Sequence, residues 1–161
     1  MGKIVTIVIV LALMVGITFS SCRKPVSFPN EPHIEFYDMI QYKDSIKIIL
    51  YFTDGDGDIG LSERDTNSNL FLTYYEMMNS NWIQFGLCPL DTPCMLFPMN
   101  YKIPPINDSN EDKALEGEIS VTIDMILVRP GADSIKYDIY IEDRAKNKSN
   151  TITTPTIVFY P

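Results

Sequence analysis

Histidine and tryptophan each occur once in the 161 residues, and cysteine three times. One imidazole, His33, cannot build a multi-histidine metal centre. No serine or cysteine nucleophile is marked by a strained-turn motif that His33 could serve as a base, so it reads as ordinary surface. Basic residues are the minority, 13 Lys and Arg against 21 Asp and Glu, for a net charge of −8, and they form no stripe. A field of that sign repels phosphate backbones and anionic headgroups, which argues against nucleic acid as a partner. The chain also lacks a convincing amphipathic helix, an internal repeat and a low-complexity tract, so nothing argues for a second domain.

The long apolar run from Ile4 to Phe19 follows Lys3 and closes on Ser20-Ser21-Cys22. It falls short of the roughly 18 apolar residues of a membrane span and has no basic stop-transfer flank, so residues 1–21 read as an export signal. Phe19-Ser20-Ser21-Cys22 resembles a bacterial lipobox, with Phe19 in place of the usual aliphatic residue. The resemblance implies that Cys22 is acylated and becomes the first mature residue. One acyl chain holds marginally at about 0.8 kcal/mol per buried methylene, and the several chains of a lipoprotein hold stably. Removal of Lys3 with the leader makes the mature chain one unit more acidic.

With Cys22 lipidated, Cys88 and Cys94 remain as a pair in an exported protein, where disulfides persist. Pro89 and Pro93 lie just inside the pair and favour a closed loop, worth about 2 kcal/mol by chain entropy. A metal pair is the competing reading, but the spacing is not that of a zinc knuckle and His33 is far away.

Residues 22–32, with Pro25, Pro29 and Pro32, read as an extended tether, and 33–161 as one domain. Alternation of apolar and polar residues predicts strands at His33–Met39, Ser45–Thr53, Leu70–Met77, Trp82–Leu87, Met99–Ile103, Glu118–Val128, Ser134–Glu142 and Thr151–Tyr160. Asn79-Ser80-Asn81 reads as a hairpin turn, and Pro155 places the last strand at a sheet edge. Seven or more short strands with turns between them predict an all-β, immunoglobulin-like antiparallel sandwich.

The densest chemistry is Asp54-Gly55-Asp56-Gly57-Asp58-Ile59-Gly60, which follows directly from the second strand. Carboxylates at alternate positions, spaced by glycine, suit a hard cation bound by six to eight oxygens. It is no orthodox EF-hand, since Ile59 stands where the sharp-turn glycine belongs and strands flank it. The alternative is a solvated Asp-Gly turn without an ion.

The stretch from Tyr51 through Leu61, and Tyr137 through Asn150 with its Asp143-Arg144-Ala145-Lys146-Asn147-Lys148-Ser149-Asn150 ending, resemble paired signatures of small Bacteroidota-type lipoproteins with an immunoglobulin-like domain. Lys146 replaces the glycine usual in such endings. The resemblance implies an outer-membrane lipoprotein in a diderm envelope, facing the periplasm or the surface. In an immunoglobulin-type sandwich the two signature loops lie at one end. Asp54, Asp56 and Asp58 are then expected to meet Asp143, with Asn147 offering its side-chain oxygen, around Ca2+. Asp44-Ser45-Ile46 and Asp133-Ser134-Ile135 resemble the O-glycosylation sites of this group.

The outward acids Asp138 and Glu142 read as a solvated face rather than a glycosidase pair. Tyr74, Tyr75, Trp82, Phe85, Phe97 and Tyr101 form either an exposed platform or core. The expected function is a non-enzymatic, calcium-stabilised envelope interaction or accessory-binding module, held in the membrane by its acyl anchor, with an envelope protein or glycan as ligand. The alternative from another class is a metal-dependent envelope hydrolase using the acidic loop end.

Overall fold

The period-two pattern of Ser45–Thr53 folds as the expected strand, which runs one residue further to Asp54. In the computed structural model, which describes residues 2, 27–84, 99–106, 114–124 and 131–158, Ile46, Ile48, Leu50 and Phe52 are at most 2% exposed while the intervening residues are half-buried. Each such side chain contributes about 1.5–3 kcal/mol on burial, so this strand forms the centre of the core.

The strands are β1 His33–Gln41, β2 Ser45–Asp54, β3 Leu70–Met78, β4 Asn81–Gln84, β5 Met99–Tyr101, β6 Leu115–Asp124, β7 Ser134–Ile141, β8 Ile152–Thr153 and β9 Ile157–Val158. They form two antiparallel sheets. One has the order β1-β2-β6; the other runs β4-β3-β7-β8, with β5 also paired to β3 and β9 to β7. With β1, β2 and β6 as A, B and E, and β3, β7 and β8/β9 as C, F and G, this is an immunoglobulin-like β-sandwich. Inward residues of both sheets, among them Ile48, Leu50, Leu72, Val121, Ile135 and Ile139, form one core.

Several boundaries differ from expectation for identifiable reasons. β1 continues past Met39 to Gln41 because its register shifts between Phe36 and Asp38, which leaves Tyr37 as an extra residue, 61% exposed. The hairpin turn is Asn79-Ser80, both at positive φ (50° and 63°), and Asn81 already belongs to β4. β6 begins earlier than Glu118, at Leu115. Gly117, opposite Phe52, leaves room for the Phe52 ring, 3.3 Å from where a Cβ would stand. Met99–Ile103 shortens to Met99–Tyr101. The expected final strand is two short ones, because Pro155 has no N–H to continue the ladder.

Side chains complete that interrupted edge. The Tyr137 N–H donates to Thr154 Oγ1 at 3.0 Å and the Ile141 N–H to Ser149 Oγ at 3.0 Å. Asn150 reaches across to the other sheet, its Oδ1 accepting from the Ile34 N–H and its Nδ2 donating to the Ile34 carbonyl, both at 2.8 Å. The first residues of β1 thus find a strand-like partner in one amide side chain.

Candidate metal centre

The alternation that buries Phe52 also buries Asp54, the last residue of β2, which is 0% exposed. Beyond it the chain turns tightly, with Gly57 (φ 71°) and Gly60 (φ 96°) in the left-handed region. Ile59 and Leu61 then insert into the core at 2% and 4% exposure, which fixes the loop against the sandwich. Across the same end, the turn after β7 presents Asp143, also 0% exposed. One carboxylate oxygen from each of Asp54, Asp56, Asp58 and Asp143 lies within 4.8 Å of the others.

The hydrogen bonds around these acids sort their oxygens into two kinds. Asp54 Oδ2 accepts from the Ile59 N–H at 3.1 Å, and Asp58 Oδ2 from the Ala145 N–H at 3.0 Å. Oδ1 of Asp54, Asp56 and Asp58 is buried and has no hydrogen-bond partner. Such an oxygen costs its full desolvation unless something positive meets it. Burial first, then the neighbouring Asp56 and Asp58 charges, pushes Asp54 up to about 6, against the Ile59 N–H that opposes the shift. Burial, then Asp143 and Asp56, raises Asp58 as well. Four hard oxygens on two loops, with no sulfur or nitrogen among them, form a donor set that suits a hard divalent cation.

Asn147 reaches the centre through Asp143. Its backbone N–H donates to Asp143 Oδ1 at 2.7 Å and its Nδ2 to Asp143 Oδ2 at 2.8 Å, which orients that carboxylate. Arg144 ties the two loops together, its backbone N–H and Nε both donating to the Asp58 carbonyl, at 3.3 and 3.1 Å. Lys146, where the resemblance expects glycine, has φ 72°, the conformation in which glycine is at ease. Asp65 lies outside the cluster. Its Oδ1 accepts from the Asn67 N–H and Nδ2, and Lys102 holds the surrounding loop through the Glu63 and Asp65 carbonyls.

Two contributors had no signal in the sequence. Asn69, 0% exposed, joins three segments: its N–H donates to the Tyr101 carbonyl, its Oδ1 accepts from the Ile103 N–H, and its carbonyl accepts from the Glu142 N–H beside Asp143. The backbone of Phe28 and Pro29 packs directly on Gly55. A buried asparagine in a polar run, and a contact made by carbonyls, leave no pattern that periodicity could detect.

The other candidates separate clearly. His33 is exposed beside Glu35, 3.6 Å away. Asp138 accepts from the Thr153 hydroxyl, and Glu142 lies 3.8 Å from Lys146. Ser134 is only 8% exposed, so the folded domain does not offer its hydroxyl for glycosylation, whereas Ser45 is half-buried at the start of β2. Tyr74 and Tyr101 pack against the core, and the Tyr74 hydroxyl donates to buried Glu76 at 2.7 Å.

Tyr75 and Trp82 lie outward, but their rings are covered by Lys136, whose Nζ is 5.4 and 4.6 Å from the centroids. Nearby, Phe71 and Tyr140 stack on each other at 4.8 Å, and Lys148 lies 3.6 Å over Tyr140. Each of these outward rings thus has a neighbouring side chain against it, and all of them stay partly exposed. A mostly apolar groove of about 360 Å³, lined by residues including Leu70, Ile103, Ile119 and Val121, opens elsewhere, and none of the four aspartates lines it. Cys22, Cys88, Cys94, Phe85 and Phe97 lie outside the described residues.

Compared with known proteins, the chain matches no family model, no curated protein and no solved structure.

Proposed function

We propose that this chain is a lipid-anchored interaction module of a diderm envelope, a non-enzymatic immunoglobulin-like domain whose loop end is held by calcium. The observation that carries the calcium reading is the trio of buried, partnerless oxygens on Asp54, Asp56 and Asp58, grouped with Asp143. Asp54, Asp56, Asp58 and Asp143 would hold the ion, and Asn147 would orient Asp143. Calcium there supplies the positive charge that lets the carboxylates share one buried end. The lipobox at Cys22 and the two signature loops, which resemble those of Bacteroidota-type lipoproteins, support the anchor and the outer-membrane location. The ligand would be an envelope protein or glycan.

Complete burial of Asp54 and Asp143 supports a closed structural site over the alternative of a metal-dependent hydrolase, which needs an open coordination position beside a cleft. The decisive experiment is calorimetric titration of the protein with calcium, together with melting in calcium and in chelator. A ligand at a hundredfold excess over Kd stabilises the folded state by about 2.7 kcal/mol. For a domain of this size that raises the Tm by on the order of 10 °C. Asp56→Ala should remove most of the rise. Asp124→Asn, an exposed acid at the opposite end of β6 from the loop, should leave it intact. Equal melting temperatures in calcium and chelator, with no binding heat, would refute the site.

A further inference from the structure

We infer that the acidic loop is also a calcium-dependent clamp on residues 27–32, the segment leading into the domain, so that ion loading sets how tightly the domain is held to its anchor. The inference rests on the calcium reading above and concerns a different contact. The Gly55 N–H donates to the Pro29 carbonyl at 2.8 Å. A Cβ at residue 55 would lie 2.3 Å from the Phe28 carbonyl oxygen and 2.5 Å from that of Pro29. Gly55 is not among the residues at positive φ, unlike Gly57 and Gly60. Its lack of a side chain therefore serves the close approach of the strap rather than a backbone conformation.

The strap is seated at two further points. Phe28 is half-buried and Pro32 is buried, while Ser27, Pro29, Asn30 and Glu31 are exposed. Gly55 lies between Asp54 and Asp56, two of the four residues whose carboxylates gather within 4.8 Å and whose Oδ1 atoms are buried without a partner. The loop shape that gathers those oxygens is therefore the shape that aims the Gly55 N–H at Pro29. When the cation leaves, repulsion among the carboxylates spreads the loop, and the strap loses its backbone acceptor contact. Release of residues 27–32 would add up to about 20 Å of reach, at roughly 3.4 Å per extended residue. Because coupling between two sites is reciprocal, a strap that is held by the ion must also tighten the ion.

The test uses the full chain in detergent micelles, with calcium alone as the probe. Hydrogen exchange at the Gly55 amide should slow at least tenfold in calcium relative to chelator, while the Tyr42 amide, bonded to the Ser45 carbonyl in the turn at the far end of β2 and free to open locally, changes less than twofold. Gly55→Ala, which is compatible with the local backbone but displaces the strap, should weaken calcium binding at least fivefold. In a chain carrying Phe28→Gly and Pro29→Gly, which loosen the strap, the same Gly55→Ala substitution should change the calcium Kd less than twofold. Calcium binding with unchanged Gly55 exchange would overturn the clamp and leave the metal site standing. A wild-type chain that binds no calcium would overturn both. Should Gly55→Ala fail to fold, the exchange measurement on the wild type still decides.

Discussion

Asp54 carries the clearest pH dependence. Burial pushes its carboxyl up to about 6 in the folded protein, from 3.8 ordinarily. A group whose folded pKa is raised contributes stability that is fully present below its unfolded pKa and is lost as pH rises through the folded one. Without calcium, the domain should therefore lose stability between about pH 4 and pH 7, and the raised Asp58 adds in the same direction. The proposed calcium would bind the ionised carboxylates, so its stabilising increment should be large at pH 7 and shrink by pH 5. Melting curves at both pH values, with and without calcium, measure this, and an equal increment at both would count against it. Lys146 offers a second residue-scale test. A non-glycine residue in the left-handed region costs about 1–2 kcal/mol, and at φ 72° Lys146→Gly should recover up to about 1 kcal/mol after its added unfolded-state entropy. An unchanged or lower urea midpoint would show that the Lys146 contact with Glu142 outweighs the strain.

At the scale of elements, the weak point is the β1 edge, which Asn150 completes at one residue. Asn150→Ala leaves the N–H and C=O of Ile34, a residue that is 0% exposed, without their partners. Two lost bonds at a buried position should cost about 2–3 kcal/mol and speed amide exchange at Ile34 and its neighbours. A urea midpoint within about 0.5 kcal/mol of wild type would mean that water replaces the amide. The same logic explains why the last part of the chain docks at all. β8 and β9 are two residues each, too short to hold by ladder bonds alone, and Ser149, Asn150 and Thr154 supply the side-chain bonds that fasten them to β7 and β1.

For the whole molecule, the arrangement separates an apolar interior from one acidic end. The core is largely aliphatic and shared by both sheets; the loop end gathers four carboxylates that could hold a metal ion. Calcium should therefore suppress local opening at the loop end in addition to the global gain that melting reports, and exchange at locally opening amides separates the two. The anchor is tested on the intact cell. Cys22→Ser should abolish labelling with a fatty-acid probe and leave the protein unprocessed or released, whereas unchanged labelling and membrane fractionation would refute acylation at Cys22.

The sequence by itself determined the all-β class, the principal strands and the identity of the acidic residues. These follow from local properties: alternation along one strand decides which face is apolar, and the run from Asp54 to Asp58 sits wherever β2 ends. Only the tertiary structure decided which carboxylate oxygens are tied to backbone N–H groups and which are left bare. That depends on Ala145 and Asn147 arriving from β7 and on Ile59 plugging into the core. It also decided that Gly55 makes room for Phe28 and Pro29, that Asn69 bridges β3 to Ile103 and Glu142, and that Asn150 stands in for a strand beside Ile34. Each of these joins residues far apart in the chain through single polar atoms. A hydrophobic pattern records burial of side chains over many residues, but not the partner of one oxygen.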